Sequence, residues 1–119
     1  MKTILAALFL ALSSVSCATT PTASVERILV EFSVQPGQRA EFIEELHKIL
    51  VDTRAFEGCL AATVWTHELD SDTVWIYEEW EARENQVAYV TWRGETGNTA
   101  HLGPYLTGPP RFLWLNEHQ

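Results

Sequence analysis

The chain has 119 residues whose first two dozen differ in composition from the rest, which leaves about 95 for folding, enough for one domain and too few for two. Sixteen acidic against eight basic residues give a net charge of −8. Past Lys2 the basic residues Arg27, Arg39, Lys48, Arg54, Arg83, Arg93 and Arg111 are scattered, so no basic face exists to neutralise a phosphate backbone and nucleic acid is excluded as a partner.

Residues 1–17 (MKTILAALFLALSSVSC) carry one positive charge at Lys2, an apolar run from Ile4 to Leu12 and then small residues, the layout of an export signal. The run is too short to cross a bilayer as a helix. Cys17 sits where a lipid-bearing cysteine would stand, and residues 18–24 (ATTPTAS) would then be a tether. A cut after Ala18 with soluble release is the other outcome, and both stay open. Residues 1–24 are therefore read as a signal peptide or lipoprotein signal plus short tether, and residues 25–119 as the folded domain. An exported product is expected, periplasmic or membrane-anchored through Cys17, or else secreted. Past Cys17 only Cys59 remains, so no intrachain disulfide can form.

Residues 27–35 (RILVEFSVQ) put Ile28, Val30, Phe32 and Val34 on one side, a half-buried strand that Pro36-Gly37 ends. Residues 38–55 space Phe42, Ile43, Leu46, Ile49, Leu50 and Thr53 along one helical face. Gly58 follows where a chain leaving a helix often needs a positive φ angle. Residues 59–67 and 73–80, rich in β-branched and aromatic side chains, form a hairpin. Residues 83–92 predict a second helix with Val87, Val90 and Thr91 on one side, interrupted by Gly94 and Gly97. A short helical turn around residues 99–106 precedes a last strand, residues 111–115 (RFLWL).

The order β-α-β-β-α-β predicts an α+β, ferredoxin-like fold: an antiparallel sheet with both helices on one face. Ala61 and Trp65, Trp75 and Tyr77, and Leu113 and Leu115 make the opposite face apolar as well. Two helices cover only one face, so a homodimer whose sheets meet as a barrel is expected.

Neither a nucleophile motif nor metal-ligand spacing is present, since His47, His67, His101 and His118 are isolated. No phosphate-binding glycine loop occurs, so no nucleotide cofactor is implied. Five Trp, three Tyr and five Phe stand out instead. They suit core packing, and also a flat cavity for a planar aromatic ligand built from Trp65, Trp80, Tyr89 and Trp92, with Arg93 near a phenolate or enolate oxygen.

Residues 33–38 (SVQPGQ), 45–54 (ELHKILVDTR), 56–60 (FEGCL), 77–81 (YEEWE) and 89–97 (YVTWRGETG) together resemble the antibiotic biosynthesis monooxygenase (ABM) domain. The resemblance implies a dimeric α+β barrel and an oxygenase that uses O2 on a small aromatic quinol or phenol with no cofactor, neither flavin nor metal. Trp80 matches the family's tryptophan at the end of the third strand and is carried over as catalytic, with Arg93 and His67 beside it. His47 is the other histidine considered for the base. Phe32, Trp65, Tyr77, Tyr89 and Trp92 are the candidate substrate-binding residues. The haem-degrading branch uses an asparagine on the first strand and a histidine on the second helix, and this chain has neither. The competing reading is a non-catalytic small-ligand-binding or stress-related dimer on the same barrel.

Overall fold

A computed structural model describes residues 24–119. Cys17 and the cleavage alternatives lie outside the described residues. The chain runs β1 (Glu26–Ser33), α1 (Arg39–Ala55), β2 (Cys59–Thr66), β3 (Thr73–Trp80), α2 (Arg83–Thr96), a 3-10 helix (Ala100–Tyr105) and β4 (Arg111–Leu115). The strands form one sheet in the order β2-β3-β1-β4, with every neighbouring pair antiparallel. This is the ferredoxin-like arrangement expected from the sequence.

Strand alternation decides which side chains meet the helices. Ile28, Val30 and Phe32 of β1 lie opposite Glu78, Ile76 and Val74 of β3. With Ala62 of β2, the apolar members of this set are buried on one face of the sheet. From α1, Phe42, Leu46, Leu50 and Thr53 are buried, a spacing of four, four and three that keeps them on one stripe. The first three complete the main core. A smaller cluster of Ile28, Trp80 and Tyr89 joins Phe56, Trp92 and Trp114 under α2.

Three departures from the sequence reading matter for the site. A bulge between Cys59 and Ala61 removes Leu60 from the ladder, so Leu60 is exposed rather than aligned with Ala62 and Val64. The second helix does not break at Gly94 but continues to Thr96, where Gly97 in the left-handed conformation caps it. The inward face of α2 is Gln86, Tyr89 and Arg93, while Val87 is 55% exposed. A polar stripe can face inward because Tyr89 and Arg93 are hydrogen-bonded inside the protein.

Gly58 holds a φ of +84° at the turn into β2, and a Cβ there would run into the Asn85 side chain at the start of α2. That close approach seats α2 against the α1–β2 corner. At the other end, the 3-10 segment is tied to β1: Gln35 donates to the Tyr105 carbonyl at 2.7 Å and Thr107 to the Ser33 carbonyl at 2.9 Å.

Candidate active site

Between the sheet, α2 and the 3-10 segment lies a cavity of about 390 Å³. Val30 and Phe32 of β1, Ile76 of β3 and Leu102 of the 3-10 helix give it apolar walls, and Phe112 and Pro110 stand on the β4 side. Five polar side chains interrupt this lining: Glu78, Gln86, Tyr89, Arg93 and Thr99.

Glu78 is in phase with Val74, Ile76 and Trp80, the other buried residues of β3, and is only 3% exposed. Its Oε2 accepts a hydrogen bond from Trp80 Nε1 at 2.8 Å. Its Oε1 has no partner among the described residues, and because no sealed side-chain oxygen is left unpaired, this atom opens onto the cavity. Burial pushes the carboxyl up to about 7 from 4.5, against the opposing pull of the Trp80 N–H. The group thus sits half ionised near neutrality, the range in which a carboxylate is most useful for moving protons.

Arg93 is buried with no ion pair to a carboxylate among the described residues. Its Nε donates to Tyr89 Oη at 2.9 Å, Nη1 to Asn98 Oδ1 at 2.8 Å, and Nη2 to the Ile49 carbonyl at 2.7 Å and Thr53 Oγ1 at 3.3 Å. Tyr89 and Thr53 close the network at 2.6 Å. Trp92 lies against the guanidinium, 4.7 Å from its centre to the ring. Burial pushes the Tyr89 phenol up, offset by its bonds to Thr53 and Arg93. The Arg93 charge also lowers the Tyr89 phenol, and the Glu78 charge raises it. The cavity therefore holds a carboxyl with one unpaired oxygen and an arginine whose hydrogen-bond partners are all neutral.

Of the side chains singled out from sequence, Phe32, Tyr89 and Arg93 line the cavity. Trp80, fully buried, does not line it but stands behind Glu78 and holds it. Trp92 backs Arg93 from the smaller cluster. Trp65 and Tyr77 are elsewhere: they lie on β2 and β3 on the face away from the helices, and Tyr77 Oη donates to Glu79 at 2.8 Å. His67 lies in the β2–β3 turn, its Nδ1 accepting the Leu69 N–H at 3.0 Å and its ring edge-on to Trp75. His47 is exposed on α1. Cys59 is partly buried, and burial, followed by the nearby Glu78 charge, pushes its thiol up and away from the reactive thiolate.

Glu78 and Gln86 were missed by sequence reasoning. The signal for Glu78 was present in the alternation of β3, where a glutamate occupies an inward position between Ile76 and Trp80. Gln86 gave none. Among the described residues, no group of three or more His, Cys, Asp or Glu side chains converges as metal ligands would.

An antiparallel ferredoxin-like sheet with a largely apolar cavity under its second helix, and one buried carboxyl in that cavity, gives a ferredoxin-like domain of the α+β class whose candidate site is that cavity. Residues 27–95 match the antibiotic biosynthesis monooxygenase family, and the chain belongs to it. Among solved structures, a conserved protein from Methanosarcina mazei superposes with a TM-score of 0.70 at 15% identity, covering 82% of this chain and 96% of that one. Rv0793 from Mycobacterium tuberculosis gives 0.64 at 21% identity, over 81% and 97% of the two chains. An antibiotic biosynthesis monooxygenase gives 0.67 at 12% identity, over 81% and 100%. These likenesses establish the fold. No curated protein matches the chain. The family supports a monooxygenase-like function.

Proposed function

We propose that the protein is an exported, cofactor-independent monooxygenase that oxidises a small aromatic quinol or phenol with O2, working as a homodimer. The observation that carries the reading is Glu78, a carboxyl with one unpaired oxygen in the wall of an otherwise largely apolar cavity. A cavity of about 150 Å³ takes up benzene, so 390 Å³ suits an aromatic of two or three fused rings.

The chemistry follows from what the two charged groups lack. Glu78 carboxylate takes the proton of a ligand hydroxyl and becomes neutral, which relieves its own burial. The negative charge moves to the aryloxide, and the Arg93 field in the same cavity favours it there. An electron-rich aryloxide can reduce O2 directly: one electron passes to give an aryloxyl radical and superoxide, which combine at a ring carbon as a peroxide. Glu78 returns its proton to the peroxide; as the O–O bond breaks the ring carbon loses its hydrogen as a proton and becomes a carbonyl, and that proton leaves with the departing hydroxide as water. For a quinol the sum is quinol plus O2 giving hydroxyquinone plus water, with four electrons lost by the ring and four gained by O2. Apolar walls shield the anion from bulk water.

The dimer reading rests on the other sheet face. There Leu29, Trp75 and Leu113 are half-buried and Trp65 is 57% exposed, an apolar area that the chain's own helices do not cover. The export reading rests on residues 1–24 alone, with lipid attachment at Cys17 or soluble release as its two forms.

Oxygen consumption with a panel of reduced naphthoquinones and anthrones tests the reading. Uptake well above each compound's autoxidation rate is expected. Ligand binding with no uptake above that rate would replace the enzyme by a non-catalytic binding dimer.

A further inference from the structure

Gln86 is 4% exposed and makes no side-chain hydrogen bond among the described residues. Its neighbours on the inward face of α2 cannot satisfy it, because the Tyr89 hydroxyl and the Arg93 guanidinium are committed to Thr53, Asn98 and the Ile49 carbonyl. A primary amide carries two donors and a two-lone-pair acceptor, and leaving it unpaired away from water is costly. No side-chain nitrogen or oxygen is both sealed and unpaired among the described residues, so the Gln86 amide must open onto the space beside it. That space is the cavity, and Gln86 also borders an adjoining groove of about 170 Å³ formed with Val87, Val90, Thr91 and Phe112.

The cavity thus has two unpaired polar groups on buried side chains, Glu78 Oε1 from β3 and the Gln86 amide from α2; of its other polar side chains, Tyr89 and Arg93 are committed and Thr99 is only partly buried. A ligand with a single hydroxyl would satisfy one and leave the other orphaned. We infer that Gln86 is a specificity-determining residue: its amide binds a second oxygen of the aromatic ligand while Glu78 engages the first hydroxyl. The inference rests on the proposed aromatic-ligand reading of the cavity and adds to it that doubly oxygenated rings are selected over singly hydroxylated ones. A second oxygen satisfies the amide whether it is a hydroxyl or a carbonyl, because the amide both donates and accepts. Discrimination of this kind comes from the buried group left unpaired by the wrong ligand, so it is larger than the hydrogen bond's own contribution in water.

Anaerobic calorimetric titration at pH 8 with 1,4-dihydroxynaphthalene and 1-naphthol tests the assignment. The wild-type protein is expected to bind the diol about tenfold more tightly. Gln86→Met, which keeps the volume and removes the amide, is expected to bring the two affinities together, with 1-naphthol bound more tightly than by the wild-type protein because no amide is then left unpaired. Gln86→Asn retains a polar amide but draws it back, and should lower the ratio without loss of fold. Equal affinities in the wild-type protein, meaning that the amide is satisfied by water alone, would overturn the inference, as would a preference that survives in Gln86→Met. Oxygen uptake separates this result from the enzyme reading. Uptake with no diol preference removes only the role of Gln86, a Gln86-dependent preference without uptake removes only the oxidation, and failure of both ligands to bind removes both.

Discussion

Glu78 is held where a carboxylate is least comfortable, and its environment makes both its reactivity and its cost calculable. With a folded pKa of about 7 against 4.5 unperturbed, the folded chain keeps a proton that the unfolded chain gives up between those values. Stability is therefore full below about pH 4.5, falls as pH rises to 7 and is level above, a loss of roughly 3 kcal/mol. Glu78→Gln keeps the acceptor for Trp80 and cannot ionise. Thermal midpoints should be equal for the two proteins near pH 4, with the variant higher by pH 8; parallel curves would contradict the burial argument. Trp80 acts through Glu78, since its N–H is the one bond that favours the charged form. Trp80→Phe retains most of the ring packing and should move the rate-controlling midpoint about one unit higher in pH, as expected for loss of a hydrogen bond to a charged group. A drop in rate with an unmoved midpoint would make Trp80 merely structural.

At the scale of elements, α2 is the part that sequence periodicity misplaced. Val87 and Val90 mark an apolar helical side, yet the helix turns Gln86, Tyr89 and Arg93 inward and leaves both valines exposed beside the cavity. Hydrophobic periodicity assumes that the buried face meets hydrocarbon, and here it meets a cavity and a hydrogen-bond network assembled from α1 and the loop after α2. Those partners, Thr53, the Ile49 carbonyl and Asn98, are distant in sequence from Tyr89 or lie beyond the helix end, so no local pattern reports them. Urea melts separate the two faces: Val87→Ser should change stability by less than about 0.5 kcal/mol, while Arg93→Met should cost about 3 kcal/mol or more through the acceptors it orphans. A large effect at Val87 and a small one at Arg93 would reverse the orientation of the helix. By contrast β3, β4 and the hairpin, apart from the bulge at Leu60, were legible residue by residue, because alternating β-branched and aromatic side chains suit a pleated strand and fit a helix poorly. The same alternation carried Glu78, which is overlooked when the pair Glu78-Glu79 is read as one polar patch rather than as an inward and an outward residue.

For the whole molecule, the order of elements determined the fold, and the two-sided apolar strands pointed to the sheet face that the chain leaves uncovered. Leu29 and Tyr77 face each other across β1 and β3, Trp65 and Trp75 across β2 and β3, and the ion pair of Glu31 with Arg111 borders them at 3.0 Å. Trp65→Glu places a charge in that face without touching the helix-side core, and is expected to convert the proposed dimer into a folded monomer in sedimentation; a dimer unchanged by it would place the interface elsewhere, and a monomeric wild-type protein would remove it. The site was only partly readable at this scale. Phe32 is brought from β1 to Tyr89 and Arg93 on α2, whereas Trp65, Tyr77 and His67 are aromatic or titratable groups on surfaces the cavity does not reach. The most direct test of Glu78 as the catalytic base is the pH dependence of oxygen uptake with 1,4-dihydroxynaphthalene, corrected for autoxidation. A single rise centred near pH 7, the value at which burial sets Glu78, is expected for the wild-type protein, with Glu78→Gln about a hundredfold slower and flat. The same rate and the same pH curve in both proteins would contradict it.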